Sequence, residues 1–87
     1  MIRLWGKLYK DHKIVDQVTL NTRAEKMDYS LFFDYISEIA HALDAPSPLV
    51  IKTHIFNFAK FNFVKFVESD FVESIRFDYM MVELIKE

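Results

Sequence analysis

Three histidines and a set of carboxylates are the side chains of this chain that could do chemistry. The histidines, at positions 12, 41 and 54, fall in what we predict to be a turn, an exposed helix face and a short helix, so no two share an element. Asp34, Glu38 and His41 follow one another at spacings of four and three, which on a helix brings their side chains within reach of a common cation. Three solvated residues on an exposed face explain this pattern more simply, so no metal ion and no cofactor is predicted.

Most catalytic motifs need residues that this chain lacks. It has no cysteine, which excludes thiol catalysis, disulfides, iron–sulfur clusters and cysteine-based zinc sites. Gly6 is the only glycine, so phosphate loops, dinucleotide fingerprints and nucleophile elbows are excluded as well. The C-terminal acids have no histidine or lysine partner in a recognisable pattern and are interpreted as a solvated flank: Glu68, Asp70, Glu73, Asp78, Glu83 and Glu87. We therefore predict that the protein is not an enzyme.

Basic and aromatic side chains alternate along the first predicted strand, at Arg3, Trp5, Lys7 and Tyr9. A sheet can bind single-stranded nucleic acid with this combination, because the rings stack on bases while the cations contact phosphates. The formal net charge of −2 does not favour a polyanionic partner for the chain as a whole. Single-stranded nucleic-acid binding through these four residues is therefore the alternative function, behind protein interaction.

Apolar residues make up 52% of the 87 residues, and nine of them are phenylalanine. The length predicts a single domain over residues 1–87. A domain of this size buries only about 60–65% of the surface that its unfolded chain exposes, so part of this apolar area has to lie outside the core. The phenylalanines at 56, 58, 61, 63, 66 and 71 are interpreted as core or interface rather than as a ligand pocket. The surplus favours a non-enzymatic interaction module that self-associates, with a two-fold homodimer as the commonest form.

The spacing of apolar residues predicts the elements and their order. Alternation with a period of two predicts strands near residues 2–10, 13–20, 61–67 and 75–85. Helical spacing predicts one main helix over 28–43, capped by Asp28 or Ser30 and ended by Pro46 and Pro48. A second, short helix is favoured over a strand for residues 48–59. The predicted fold class is therefore α+β, a small antiparallel sheet of about four strands packed on one main helix in the order ββα(α)ββ.

The first two strands are predicted to form a hairpin whose turn is Asp11 and His12. This register sets Lys7 opposite Asp16 and places Trp5 on the face that packs on the main helix. The opposite face of the hairpin, with the last strand, is then the predicted self-association interface: Ile2, Leu4, Leu8, Val15, Met80, Val82 and Leu84.

Five short segments lie near the two ends of the chain: RLWGKL at 3–8, KDHKI at 10–14, DFVE at 70–73, FDY at 77–79 and VELI at 82–85. Together they resemble a family of short uncharacterised proteins from Gram-positive bacteria. The resemblance implies a bacterial, cytoplasmic protein with no assigned activity, and it carries over no functional residue. The absence of cysteine also favours an intracellular location, because small secreted domains usually need disulfides. No membrane span is expected, since the longest uncharged stretches are seven residues where a span needs roughly 20 apolar residues.

Overall fold

The computed structural model describes residues 2–85 and shows four strands in one antiparallel sheet, with two helices packed on one of its faces. The elements, in chain order, are β1 Arg3–Lys10, β2 Lys13–Asn21, α1 Phe32–Ala42, α2 Lys52–Phe61, β3 Phe63–Val67 and β4 Tyr79–Ile85. The sheet order is β2-β1-β4-β3, so β1 and β4 are central and β2 and β3 are the edges. The predicted α+β class and the order ββα(α)ββ are confirmed. No helix among residues 2–85 is long and apolar enough to cross a membrane.

The β1–β2 hairpin turns at Asp11 and His12, as predicted. Both residues have positive φ angles, 54° and 65°, which are the backbone values of a type I′ turn and match the twist of the two strands. The predicted register holds next to this turn, where Tyr9 lies opposite Ile14. Beyond it a β-bulge between Leu8 and Tyr9 shifts the pairing by one residue.

Because of the bulge, the side chains of β1 that share the helix-facing side with Val18 and Leu20 of β2 are not the predicted ones. Lys7 lies opposite Gln17, so its predicted pairing with Asp16 was wrong. A shift of one residue moves the side chains of a strand to the other face of the sheet. Leu4, not Trp5, therefore belongs to the face that packs on the helices.

This reversal also overturns most of the predicted self-association interface. Leu4, Leu8, Met80 and Val82 are buried in the protein's own core, in one cluster with residues of both helices, and leave no surface for a partner. Ile2 and Leu84 are partly buried against the same core. Of the seven predicted interface residues, only Val15, at the bulge, is exposed.

Gly6 marks the place where α1 crosses the sheet. A Cβ atom at this position would collide with Cγ2 of Ile39, so the helix backbone can approach β1 this closely only because residue 6 has no side chain. The predicted buried stripe of α1 is confirmed at Phe32, Ile36 and Ala40 as well. Asp28 caps the 3-10 turn that precedes α1, because its side chain accepts a hydrogen bond of 3.0 Å from the backbone N–H of Ser30.

The second helix is present, as favoured over a strand, but it begins at Lys52 instead of residue 48. The residues before it are extended, and Leu49 donates a backbone hydrogen bond of 2.8 Å to the carbonyl of Asp70. His54 caps the helix, since its Nδ1 accepts a hydrogen bond of 3.0 Å from the N–H of Ile51. Nε2 of the same ring lies 3.3 Å from the carboxylate of Asp70. The helix ends at Phe61, and the following residue, Asn62, caps it with a left-handed φ of 64°.

The last strand is central in the sheet, as predicted, but it begins at Tyr79 instead of Ile75. The residues before it are irregular and close the end of the hairpin. The N–H of Asp78 donates to the carbonyl of Tyr9 at 2.7 Å, and its carboxylate accepts from the N–H of Asp11 at 2.9 Å. The carboxylate thereby satisfies a backbone donor of the hairpin turn.

Candidate functional site

One face of the sheet is not covered by either helix, and we call it the open sheet face. Residues directly opposite each other in neighbouring strands share a face, so the register defines its members. They are Arg3, Trp5, Lys7 and Tyr9 of β1, Tyr79, Met81, Glu83 and Ile85 of β4, Phe63, Lys65 and Val67 of β3, and Ile14, Gln17, Thr19 and Asn21 of β2. All four residues of the nucleic-acid alternative therefore lie together on an uncovered face.

Lys7 occupies the centre of the open sheet face and is only 4% exposed. Its ammonium lies 3.9 Å from the centroid of the Trp5 ring and forms a salt bridge of 3.0 Å with Glu83. The indole N–H of Trp5 donates to the side-chain oxygen of Gln17 at 2.9 Å. The aliphatic part of Lys7 covers apolar sheet surface while its charge is paired, so this lysine contributes to the structure of the face.

A stacked pair of tyrosines lies beside Lys7. The rings of Tyr9 and Tyr79 are 4.8 Å apart with an angle of 18° between their planes. Lys65, from the edge strand β3, places its ammonium 4.7 Å from the centroid of Tyr79. Lys65 is exposed, in contrast to Lys7, so its charge can be offered to a ligand.

The helix side of the molecule carries a second candidate surface, which we call the helix-layer groove. It is lined almost wholly by apolar atoms of Tyr29, Lys52, Ile55, Phe56, Ala59 and Lys60. Phe56 is 74% exposed, which is unusual for a phenylalanine. Phe33 of α1 is also exposed, at 55%. The groove with Phe56 is an apolar surface that the chain itself does not cover, and α1 adds a second exposed phenylalanine.

Neither edge of the sheet is suited to pairing with another chain. The edge strand β2 carries the bulge, which distorts the row of backbone groups that a partner strand would need. The other edge strand, β3, has Lys65 at its centre. Two copies of β3 paired about that residue would place like charges directly opposite each other. A partner is therefore expected on a face of the molecule and not at an edge.

The three histidines do not form a reactive site. His12 is exposed in the hairpin turn, His41 is exposed on α1, and His54 is used in capping α2. Among residues 2–85 no three histidine or carboxylate side chains come together as metal ligands, so Asp34, Glu38 and His41 form no such group.

Sequence reasoning missed Tyr79, Lys65 and Phe63 on the open sheet face and Phe56 in the helix-layer groove. The alternation in β3 and β4 contained the signal for the first three, but only the sheet order shows that they lie beside β1. Phe56 follows from the helical phase of α2, in which Phe58 is buried and Phe56 is not. No protein-family model, no curated protein and no solved structure matches this chain.

Proposed function

We propose that this protein is a non-enzymatic interaction module that self-associates as a two-fold homodimer through its helix layer. The observation that carries the proposal is the exposure of Phe56 at 74% beside an apolar groove. Burying a phenylalanine side chain stabilises an interface by about 1.5–3 kcal/mol. A two-fold interface buries each such residue twice, once from each protomer. Contiguous exposed apolar surface of this kind marks a site of protein interaction.

The charges of the two helices support a second copy as the partner. The exposed side of α1 carries Asp34 and Glu38, and α1 has no lysine or arginine. The exposed side of α2 carries Lys52 and Lys60, and α2 has no aspartate or glutamate. Each helix also exposes a phenylalanine. The two helices are therefore complementary in charge and alike in apolar content.

A two-fold axis between the helices brings the acidic and basic helices of the two protomers together. Rotation about such an axis places α1 of one protomer on α2 of its partner, and the reverse contact follows by symmetry. Acidic side chains then face basic ones while the phenylalanines meet in the apolar centre. Docking α1 on α1 instead would set like charges against each other, which is unfavourable.

Sedimentation equilibrium at micromolar concentration tests the self-association. We expect a dimer of the 10.4 kDa chain and a dissociation constant raised at least about a hundredfold by Phe56→Ser, because two buried phenylalanines are lost. Val72→Ser is the matched control, since Val72 is 80% exposed and lines no part of the groove. A monomeric wild-type protein at these concentrations would contradict the proposal.

Charge reversal tests the arrangement of the helices. Lys52→Glu/Lys60→Glu and Asp34→Lys/Glu38→Lys are each expected to weaken their own dimer by about tenfold or more, because ion pairs of about 0.2–1 kcal/mol become repulsions on both symmetric halves. Mixing the two variants restores opposite charges at both contacts, so a heterodimer is expected.

Glu68→Lys/Glu73→Lys is the control for Asp34→Lys/Glu38→Lys, because it makes the same change in net charge elsewhere on the surface. When this control is mixed with the variant in which Lys52 and Lys60 are reversed, one of the two helix contacts stays repulsive, so the heterodimer should be at least about tenfold weaker than in the designed mixture. If the control mixture associates as well as the designed one, net charge and not helix pairing is responsible. The cytoplasm is the expected location of the module, on the ground that its 87 residues contain no cysteine to form disulfides.

A further inference from the structure

We infer that the open sheet face binds single-stranded nucleic acid. This face lies on the opposite side of the sheet from the helix-layer groove, so the inference is independent of self-association. It goes beyond the four residues of β1, because the sheet order brings Tyr79, Phe63 and Lys65 beside them. The site is formed by three adjacent strands.

Aromatic side chains of the open sheet face supply stacking platforms. Trp5 and the stacked Tyr9 and Tyr79 project from the two central strands, and Phe63 lies on the adjacent edge strand in the row of Trp5. Rings on the central strands of an open antiparallel sheet stack on two or three bases of a single strand. A duplex keeps its bases stacked inside and cannot use such platforms, so the single-stranded form is favoured.

The charge of the open sheet face matches a polyanion, although the charge of the chain does not. Among residues 2–85, the charged side chains of this face are Arg3, Lys7, Lys65 and Glu83. The charges of these four side chains sum to about +2, whereas the formal net charge of the chain is −2. The positive charge is concentrated beside the aromatic rings, where the phosphates of a stacked strand would lie.

Lys65 connects stacking to phosphate binding. Its ammonium lies 4.7 Å from the centroid of Tyr79 in the free protein. A base that stacks on this ring takes the place of the ammonium, and the exposed lysine is then free to reach the adjacent phosphate. On the other side of β1, Gln17 and Thr19 offer amide and hydroxyl groups to the edges of unpaired bases.

Quenching of Trp5 fluorescence provides the assay, because Trp5 is the only tryptophan. Oligo(dT) and oligo(rU) of about ten nucleotides are titrated at low salt, with a hairpin duplex and heparin as comparisons. We expect saturable quenching by the single strands, weaker binding of the duplex, and an affinity that falls steeply as salt rises. Equal binding of heparin and the single strands would show a charge effect without stacking and would overturn the inference.

Lys65→Gln and Lys13→Gln form a matched pair of variants. Each removes one positive charge from an exposed lysine, but Lys65 lies on the open sheet face, whereas Lys13 pairs with Lys10 on the opposite side of the sheet from Tyr9 and Ile14 and outside the helix-layer groove. Only Lys65→Gln should lower the affinity, and it should reduce the slope of log affinity against log salt by about 0.7, as for one phosphate contact. Tyr79→Leu should lower the affinity by about 5- to 150-fold, the range for the loss of one stacked base.

Circular dichroism and urea unfolding confirm that each variant remains folded. If Tyr79→Leu unfolds the protein, the affinity and salt slope of Lys65→Gln test the inference instead. An exposed lysine on an edge strand can be replaced without loss of the fold. The inference is overturned if no single strand quenches Trp5 at low salt. It is also overturned if Lys13→Gln weakens binding as much as Lys65→Gln does.

Discussion

The contact between Gly6 and Ile39 sets the distance between α1 and the sheet, and Gly6→Ala perturbs it directly. The added methyl group would collide with Cγ2 of Ile39, which is fully buried between the helix and the strand. Overpacking of a core costs about 1–3 kcal/mol, whereas alanine is better than glycine in a strand by about 0.5–1 kcal/mol. We therefore expect a net destabilisation of about 1–2 kcal/mol. For a chain of this length, the midpoint of thermal unfolding should fall by roughly 4–15 °C.

Urea unfolding of Gly6→Ala, Ile39→Ala and the double variant measures the coupling between the two positions. Ile39→Ala alone should cost about 2–5 kcal/mol because it leaves a cavity. In that background the methyl group introduced at position 6 has room, so adding Gly6→Ala should cost nothing or stabilise the protein. Additive effects of the two substitutions, or a neutral Gly6→Ala in the wild-type background, would refute the close contact.

Three further substitutions test single contacts. His54→Ala should destabilise the protein by about 1–3 kcal/mol in urea unfolding, because the N–H of Ile51 loses its acceptor. His41→Ala, on the exposed side of α1, is the control and should change stability by less than about 0.5 kcal/mol. His12→Gly should raise the thermal midpoint, with a gain of about 0.5–1 kcal/mol, because glycine adopts a φ of 65° without strain; an unchanged midpoint would argue against the type I′ turn. Lys7→Met should stay within about 1 kcal/mol of wild type, since methionine keeps the apolar packing and Glu83, whose side chain is 43% exposed, stays solvated without its partner; a loss of about 3 kcal/mol or more would show that the charge itself is needed.

Local patterns in the sequence determined the types of the elements. Spacing at a period of 3.6 placed the buried stripe of α1, and alternation placed the strands, because both periods follow from backbone geometry within one segment. The hairpin turn at Asp11 and His12 was equally local, since these residue types tolerate positive φ. The fold class and the order of elements were therefore predictable from the sequence alone.

Element ends were less predictable where distant residues decide them. The second helix begins at Lys52 because His54 caps it and because Leu49 pairs with Asp70, twenty-one residues further on. Strand β4 begins at Tyr79 because there it starts to pair with β1 and β3. The pairing of Leu49 with Asp70 and the pairing of β4 with its two neighbours have no signature in the segments whose ends they set.

Only the tertiary structure decided which face of the sheet is the core. One bulged residue in β2 changes which side chains of β1 share a face with Val18 and Leu20, because the side-chain period of a strand is two. The salt bridge of Lys7 with Glu83 joins residues 76 positions apart, and the sheet order that brings them together has no signature in either strand. Leu4 therefore lies on the core face, where Trp5 was expected, and Trp5 lies on the open sheet face. In β1, the aliphatic Leu4 and Leu8 joined the core, on which α1 packs closely over Gly6, and the aromatic and basic side chains were left on the open sheet face.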